Sequence, residues 1–227
     1  MVMEINEKSA DSIIRQLFAL PLLCFVAAFT LATVNEKTKE TILLQKERAA
    51  LDLLNEIFPP QSYDNDLLAA EFELPEQLGD QLNHERQQKD SPSNSSLHRA
   101  FRFEKNGKVI GVTLPSIAKD GYNGTIELLV GLRNTDPISL QAVRVIAHSE
   151  TPGLGDKIER TRSDWILSFN GASLAHPPAE DWEVLSKGGV YDAFTGATIT
   201  PSAVTRQLAD TLAAAQNHRE LLFFSAP

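Results

Sequence analysis

Cysteine is almost absent from this chain of 227 residues: Cys24 stands alone, inside an apolar run. A disulfide framework, a C-x-x-C redox pair and a thiolate metal site are therefore excluded, so any redox chemistry must come from a bound cofactor. The five histidines, His176 among them, are scattered without metal-ligand spacing, which argues against a zinc site. No His-Ser-Asp or Cys-His constellation for nucleophilic catalysis follows from spacing. There is no internal repeat, and no G-x-G-x-x-G run lies between a strand and a helix. Positive charge is in deficit. The formal net charge is -9 and Lys and Arg form no cluster able to track a phosphate backbone, which sets nucleic-acid binding aside.

What is present is enough apolar material, at 42% hydrophobic residues, for one well-packed domain plus an appendage. The appendage is N-terminal. Leu17 to Val34 contains no charged residue, with Arg15 before it and Glu36 after it. At 1.5 Å rise per residue this run is about 27 Å long, close to a hydrocarbon core. A cleaved signal peptide is the competing reading, with Thr30-Leu31-Ala32 as a small-residue cleavage site, but the run is long for that role and its leading tail is mixed in charge. A retained anchor is expected. Lys8 and Arg15 precede the run while Lys37 and Lys39 follow it, so the positive-inside rule does not orient it.

Asn35 to Phe58 reads as a helix ended by Pro59-Pro60, with Leu43, Ala50, Leu54 and Ile57 near one face. That stripe is either the edge of the domain core or a docking face. Residues 61–80 are mixed and acidic with a break at Pro75, and the polar stretch His84 to Asn94 reads as an exposed loop. Strands begin near Ala100. Asn106-Gly107, between Phe101–Lys105 and Lys108–Val112, is a hairpin signal. Gly121–Leu132 reads as the next strand, and Leu140–His148 as its antiparallel neighbour. Strands followed by helices make the expected fold α+β.

Two loops carry chemistry. In Glu150-Thr151-Pro152-Gly153-Leu154-Gly155, Pro152-Gly153 has the residues for the centre of a type II turn, and Gly155 leaves the backbone unshielded. Main-chain groups there can approach a flat ring, although any tight connection would use the same residues. In Asp192-Ala193-Phe194-Thr195-Gly196-Ala197-Thr198-Ile199-Thr200-Pro201, a turn feeds a helix: Gly196 tolerates positive φ, Thr200 is the expected N-cap and Pro201 the first helical residue, with the helix running to about Gln216. Its dipole would favour a phosphate beside Thr198. A plain capped turn, with threonines serving only backbone groups, is the alternative. Between the loops, Trp165 and Phe169 at i, i+4 would meet on one helical face, as core or as a wall beside a ligand.

The run Gly188–Val204 resembles the D-x-x-[S/T]-G-A-T-x-T flavinylation motif of the FMN-binding subunits of Rnf-type and Nqr-type ion-translocating oxidoreductases, and is most similar to the Rnf-type G subunits. The E-T-P-G-x-G segment and W-x-x-x-F-x-G piece, Trp165 to Gly171, resemble further parts of that domain. The resemblance implies FMN bound covalently through its phosphate to Thr198, with Thr195, Gly196, Ala197 and Thr200 around it. It implies contact between the flavin and Glu150, Thr151, Pro152, Gly153 and Gly155; no metal ligands are expected, from the histidine spacing above. Asp192 has either a structural role in the turn or one in positioning the phosphate, and the first is preferred because a carboxylate repels a phosphate. Also implied are a flavin transferase using Mg²⁺, neighbouring membrane and peripheral subunits, and an inner-membrane location with the soluble domain on the periplasmic side. The expected divisions are a cytoplasmic tail (1–16), a span (17–34), a stalk and connecting region (35–99), an FMN-binding domain (100–216) and a C-terminal tail (217–227). The Nqr-type C subunit and an unmodified membrane-anchored scaffold remain as rivals.

Overall fold

The computed structural model describes residues 2–82 and 99–224, with the side chains of 2–20, 40 and 43 excepted. The chain divides into two compact units, Met1–Arg48 and Ala49–Pro227. The first is helical and belongs to helix α1 (Val2–Ile57), which contains Pro21. Its large apolar side chains, Leu22, Leu23, Phe25, Phe29 and Leu31, are all exposed. Among the described residues no helix is long and apolar enough to cross a membrane. The side chains of Leu17, Phe18, Ala19 and Leu20, which open the expected span, lie outside the described residues.

The second unit is built on a five-stranded sheet. Strands β1 (Glu71–Phe72), β2 (Ala100–Lys105), β3 (Lys108–Gly121), β4 (Gly124–Arg133) and β5 (Ser139–His148) lie in chain order. Every neighbouring pair is antiparallel. With helices α2 (Glu76–Gln81), α3 (Ile199–Asn217) and α4 (Arg219–Phe223), this is the α+β arrangement the sequence implies. Asn106 and Gly107 turn the β2–β3 hairpin with φ of 52° and 70°, the two positive values a type I′ turn needs.

Alternation along the strands gives the sheet two apolar faces. Val112, Leu114, Leu128, Val130, Leu132 and Leu140 join Val204, Leu208 and Leu212 of α3 in the larger core. Phe101, Phe103, Leu129 and Ala142 point the other way and meet Leu54, Ile57 and Phe58. The stripe Ala50, Leu54, Ile57 is therefore buried as core, while the side chain of Leu43 is outside the described residues.

Four sequence expectations differ from the structure. Strand β3 runs on past Val112 for nine further residues to Gly121, and Gly121 closes it instead of opening β4. Pro115 interrupts the apolar alternation without breaking the strand, because pairing with β2 ends at Phe101↔Thr113. The edge beyond is capped by Ile117 N–H, which donates to Leu82 O at 3.0 Å, and the Pro115 nitrogen faces the same edge. Residues 61–80 hold β1 and most of α2, and Leu67 and Leu78 are buried. Within the expected tail, α4 buries Leu222 and Phe223, and Arg102 donates to the carbonyls of Leu221 and Leu222. The expected polar loop from His84 to Asn94 lies outside the described residues.

Candidate functional site

Strand β5 delivers its chain end directly into the Glu150–Gly155 loop. Leu154 N donates to Thr151 O at 3.1 Å and Gly153 has φ of 79°, which is the expected type II geometry around Pro152-Gly153. Gly153 N also donates to Asp156 Oδ1 at 2.7 Å. Glu150 is 4% exposed, and its carboxylate receives Asn123 N–H at 3.0 Å and the Thr200 hydroxyl. One buried side chain thus ties together the β3–β4 turn, the loop after β5 and the first turn of α3. A Cβ on Gly155 would lie 2.8 Å from Glu150 Oε2 and 2.9 Å from Thr200 Oγ1, so this position needs glycine for closeness.

The second loop arrives from the other side. Phe194 to Ala197 forms a turn closed by Ala197 N donating to Phe194 O at 3.0 Å, with Gly196 at φ 81°. Helix α3 then starts two residues earlier than expected, with Thr198 as N-cap and Thr200 inside the first turn. The assignment of Thr200 as the N-cap is corrected: its hydroxyl goes to Glu150, a charged acceptor that competes better than a backbone amide in a dry setting. Thr198, at the N-cap, makes no side-chain capping bond, and its carbonyl accepts from Ser202 N at 3.2 Å. Thr198 is partly exposed, next to first-turn amides that have no intrahelical acceptor.

The two loops meet around one cavity of about 340 Å³. From the first come Glu150, Thr151, Leu154 and Gly155; from the second, Gly196, Ala197, Thr198, Ile199 and Thr200. Pro152, Gly153 and Thr195, three of the expected site residues, are exposed and do not line it. Sequence reasoning missed Tyr122, Leu154 and Ile199 as lining residues. Their signal is burial in reverse: Tyr122 is 66%, Leu154 41% and Ile199 47% exposed, large apolar side chains left open at one place.

Behind the second loop stands an aromatic core. Trp165 to Phe169 is a 3₁₀ turn, in which the two rings meet edge to face at 5.0 Å. Trp165 also meets Phe194 at 5.1 Å and donates from Nε1 to Asp192 O at 2.8 Å. These aromatics therefore act as core that braces the loop, and neither Trp165 nor Phe169 lines the cavity. Asp192 serves the turn through its main-chain carbonyl, and its side chain is exposed. Tyr191 stacks on Phe169 at 4.4 Å; burial pushes its phenol up to about 12, and its hydroxyl has no hydrogen-bond partner among the described residues. At the end of β5, the hydrogen bond from His148 holds the Glu159 carboxyl below its usual range. Among the described residues no group of three or more His, Cys, Asp or Glu is placed to hold a metal ion.

An antiparallel sheet backed by a helix, with the N-cap threonine on a cavity that combines glycines, polar side chains and exposed apolar ones, defines the class. The family model described as "FMN-binding domain" matches residues 121–213, which contain every lining residue of the cavity. Over 204 residues, covering 89% of this chain and 90% of the relative, the sequence is 34% identical to a Vibrio cholerae protein named as the G subunit of an ion-translocating oxidoreductase complex. Proteins of the same name match from Pseudoalteromonas atlantica, 38% identical over 90% of this chain and 88% of the relative, and Pseudomonas aeruginosa, 37% over 95% and 90%. The chain belongs to the family of G subunits of ion-translocating oxidoreductase complexes.

Proposed function

We propose that this protein is the FMN-carrying subunit of an Rnf-type ion-translocating oxidoreductase complex, holding its flavin by a phosphoester to Thr198 and relaying electrons between neighbouring subunits. The supporting observation is the convergence of two loops 40 residues apart or more on one cavity, with Thr198 among its lining residues and its side chain making no capping bond. The residues fit the group. A helix mouth favours the phosphate, and Tyr122, Leu154 and Ile199 offer apolar surface for the ring system. FMN supplies one- and two-electron redox chemistry when bound.

Each wall residue has a task toward that group. Glu150 locks both loops and the β3–β4 turn, so the cavity is set before the cofactor arrives. The Gly196 turn brings Thr198 to the helix mouth. A threonine hydroxyl is not acidic enough to attack unaided, so a separate flavin transferase acting with Mg²⁺ on a flavin nucleotide donor makes the bond, the Thr198 oxygen displacing the nucleotide's phosphate from the FMN phosphorus as the leaving group. The membrane part of the proposal is a cytoplasmic tail of residues 1–16, a single span over 17–34, and the flavin domain on the periplasmic side of the inner membrane, beside membrane and peripheral partner subunits.

The test is Thr198→Val in cells that load the wild type. Covalent flavin, read as in-gel fluorescence and as added mass on the peptide containing residue 198, should vanish while the far-UV circular dichroism stays unchanged. Label persisting in the variant rules out the attachment point.

A further inference from the structure

The β3–β4 hairpin turns on two residues, Tyr122 and Asn123, and its tip is docked with unusual care. Asn123 N donates to Glu150 Oε1 and Asn123 Nδ2 to Thr151 Oγ1, each at 3.0 Å. Gly121 has no room for a Cβ, which would overlap Gly124 O and lie 2.8 Å from Glu150 Oε1. The tip is thereby pressed against the loop after β5. Yet the side chain carried there is left largely open: Tyr122 is 66% exposed. Its ring lines the same cavity as Thr198, and among the described lining residues it is the only aromatic.

We propose that Tyr122 is the ring-contacting residue of the site, its phenol lying against the isoalloxazine while Leu154 and Ile199 supply the remaining apolar contact. The inference rests on the flavin reading above and adds the residue that fixes the ring, as distinct from the one that tethers the phosphate. Three of the large exposed apolar side chains of this unit share one cavity wall, and a flat ring tethered at Thr198 covers all three at once. Docking of the hairpin by Glu150 and Thr151 makes the aromatic surface preorganised, so loading does not need to order it.

A phenol in contact with a flavin leaves an optical signature. On excitation the phenol gives one electron to the ring and takes it back without emission, so flavin fluorescence is quenched while the polypeptide is folded. Full-length wild type, Tyr122→Leu and Tyr122→Trp are loaded in cells and brought to equal covalent flavin by in-gel fluorescence after denaturation. At equal load, native Tyr122→Leu should fluoresce several-fold more brightly than wild type and lose induced circular dichroism in the flavin bands. Tyr122→Trp should stay quenched, and all three should match once unfolded. Equal native fluorescence in wild type and Tyr122→Leu overturns the assignment of Tyr122 while leaving attachment intact. A wild type with no covalent flavin overturns the attachment and this inference together.

Discussion

The N-cap position falls to Thr198 and not to Thr200 as the sequence suggests, and the shift is decided by one neighbour. The buried Glu150 carboxylate needs donors, and Thr200, 1% exposed, is the hydroxyl within reach. Thr198 is left with a hydroxyl that satisfies nothing in its own helix. Tyr191 shows the same logic in the opposite sense, a buried hydroxyl with no partner among the described residues. Its phenol titrates at about 12 when folded, against 10.0 as the ordinary value. Between those values the unfolded chain gives up a proton that the folded chain keeps, so stability is full below pH 10 and declines as pH rises toward 12, by about 2 kcal/mol. Tyr191→Phe removes both the orphan hydroxyl and the titration. The variant should be as stable as wild type or more so, by up to about 1 kcal/mol at neutral pH, with the gap widening above pH 10. Urea unfolding at pH 8 and pH 11 measures it; a variant less stable at both would show that the hydroxyl has a partner.

At the scale of elements, the sheet is shaped by where it lacks side chains. Gly111 on β3 and Gly131 on β4 sit under the end of α1, where an added Cβ would overlap the Phe58 ring and Ile57 Cγ2 respectively. The helix end can lie close to the sheet only because both positions are glycine. Gly131→Ala should therefore cost about 1–3 kcal/mol of stability, and combined with Ile57→Ala, which removes the Cγ2 in the offending contact, the loss should be smaller than the sum of the two single losses. Chemical denaturation of the two single variants and the double variant reads the coupling; purely additive effects would refute it. These contacts were not legible in the sequence, because a glycine in a strand does not say what lies above it. The Asn106-Gly107 hairpin was legible, since turn chemistry is local. Strand β3 beyond Val112 was not, because Pro115 and the buried polar Thr113 and Ser116 break the alternation. Ser116 is satisfied only by distant Thr211 and Gln207 of α3, at 2.8 Å each. Both loops were legible as turns for the reason the hairpin was, while their reading as one site came from the family resemblance and not from turn chemistry. Tyr122 was missed because its place depends on bonds to Glu150 and Thr151, nearly 30 residues away.

For the molecule as a whole, the division at Ala49 separates two physical problems. Both apolar clusters, on either face of the sheet, are drawn from residues 49–224, so this part carries its own reason to fold. The preceding residues contribute large apolar side chains that find no core: Leu22, Leu23, Phe25, Phe29 and Leu31 are each 60% exposed or more. Surface of that kind is costly in water and favourable in hydrocarbon, and the run from Leu17 to Val34 carries no charge to oppose insertion. If that run anchors the protein, the full chain should sediment with membranes and resist release by high salt or alkaline carbonate, which detach only peripheral proteins. A chain beginning at Ala49 should remain in the supernatant and unfold in one cooperative thermal transition, because nothing in either cluster has been removed. Full-length protein washed free by carbonate would refute the anchor without touching the flavin site. A fragment that fails to melt cooperatively would instead show that the first 48 residues contribute to the fold.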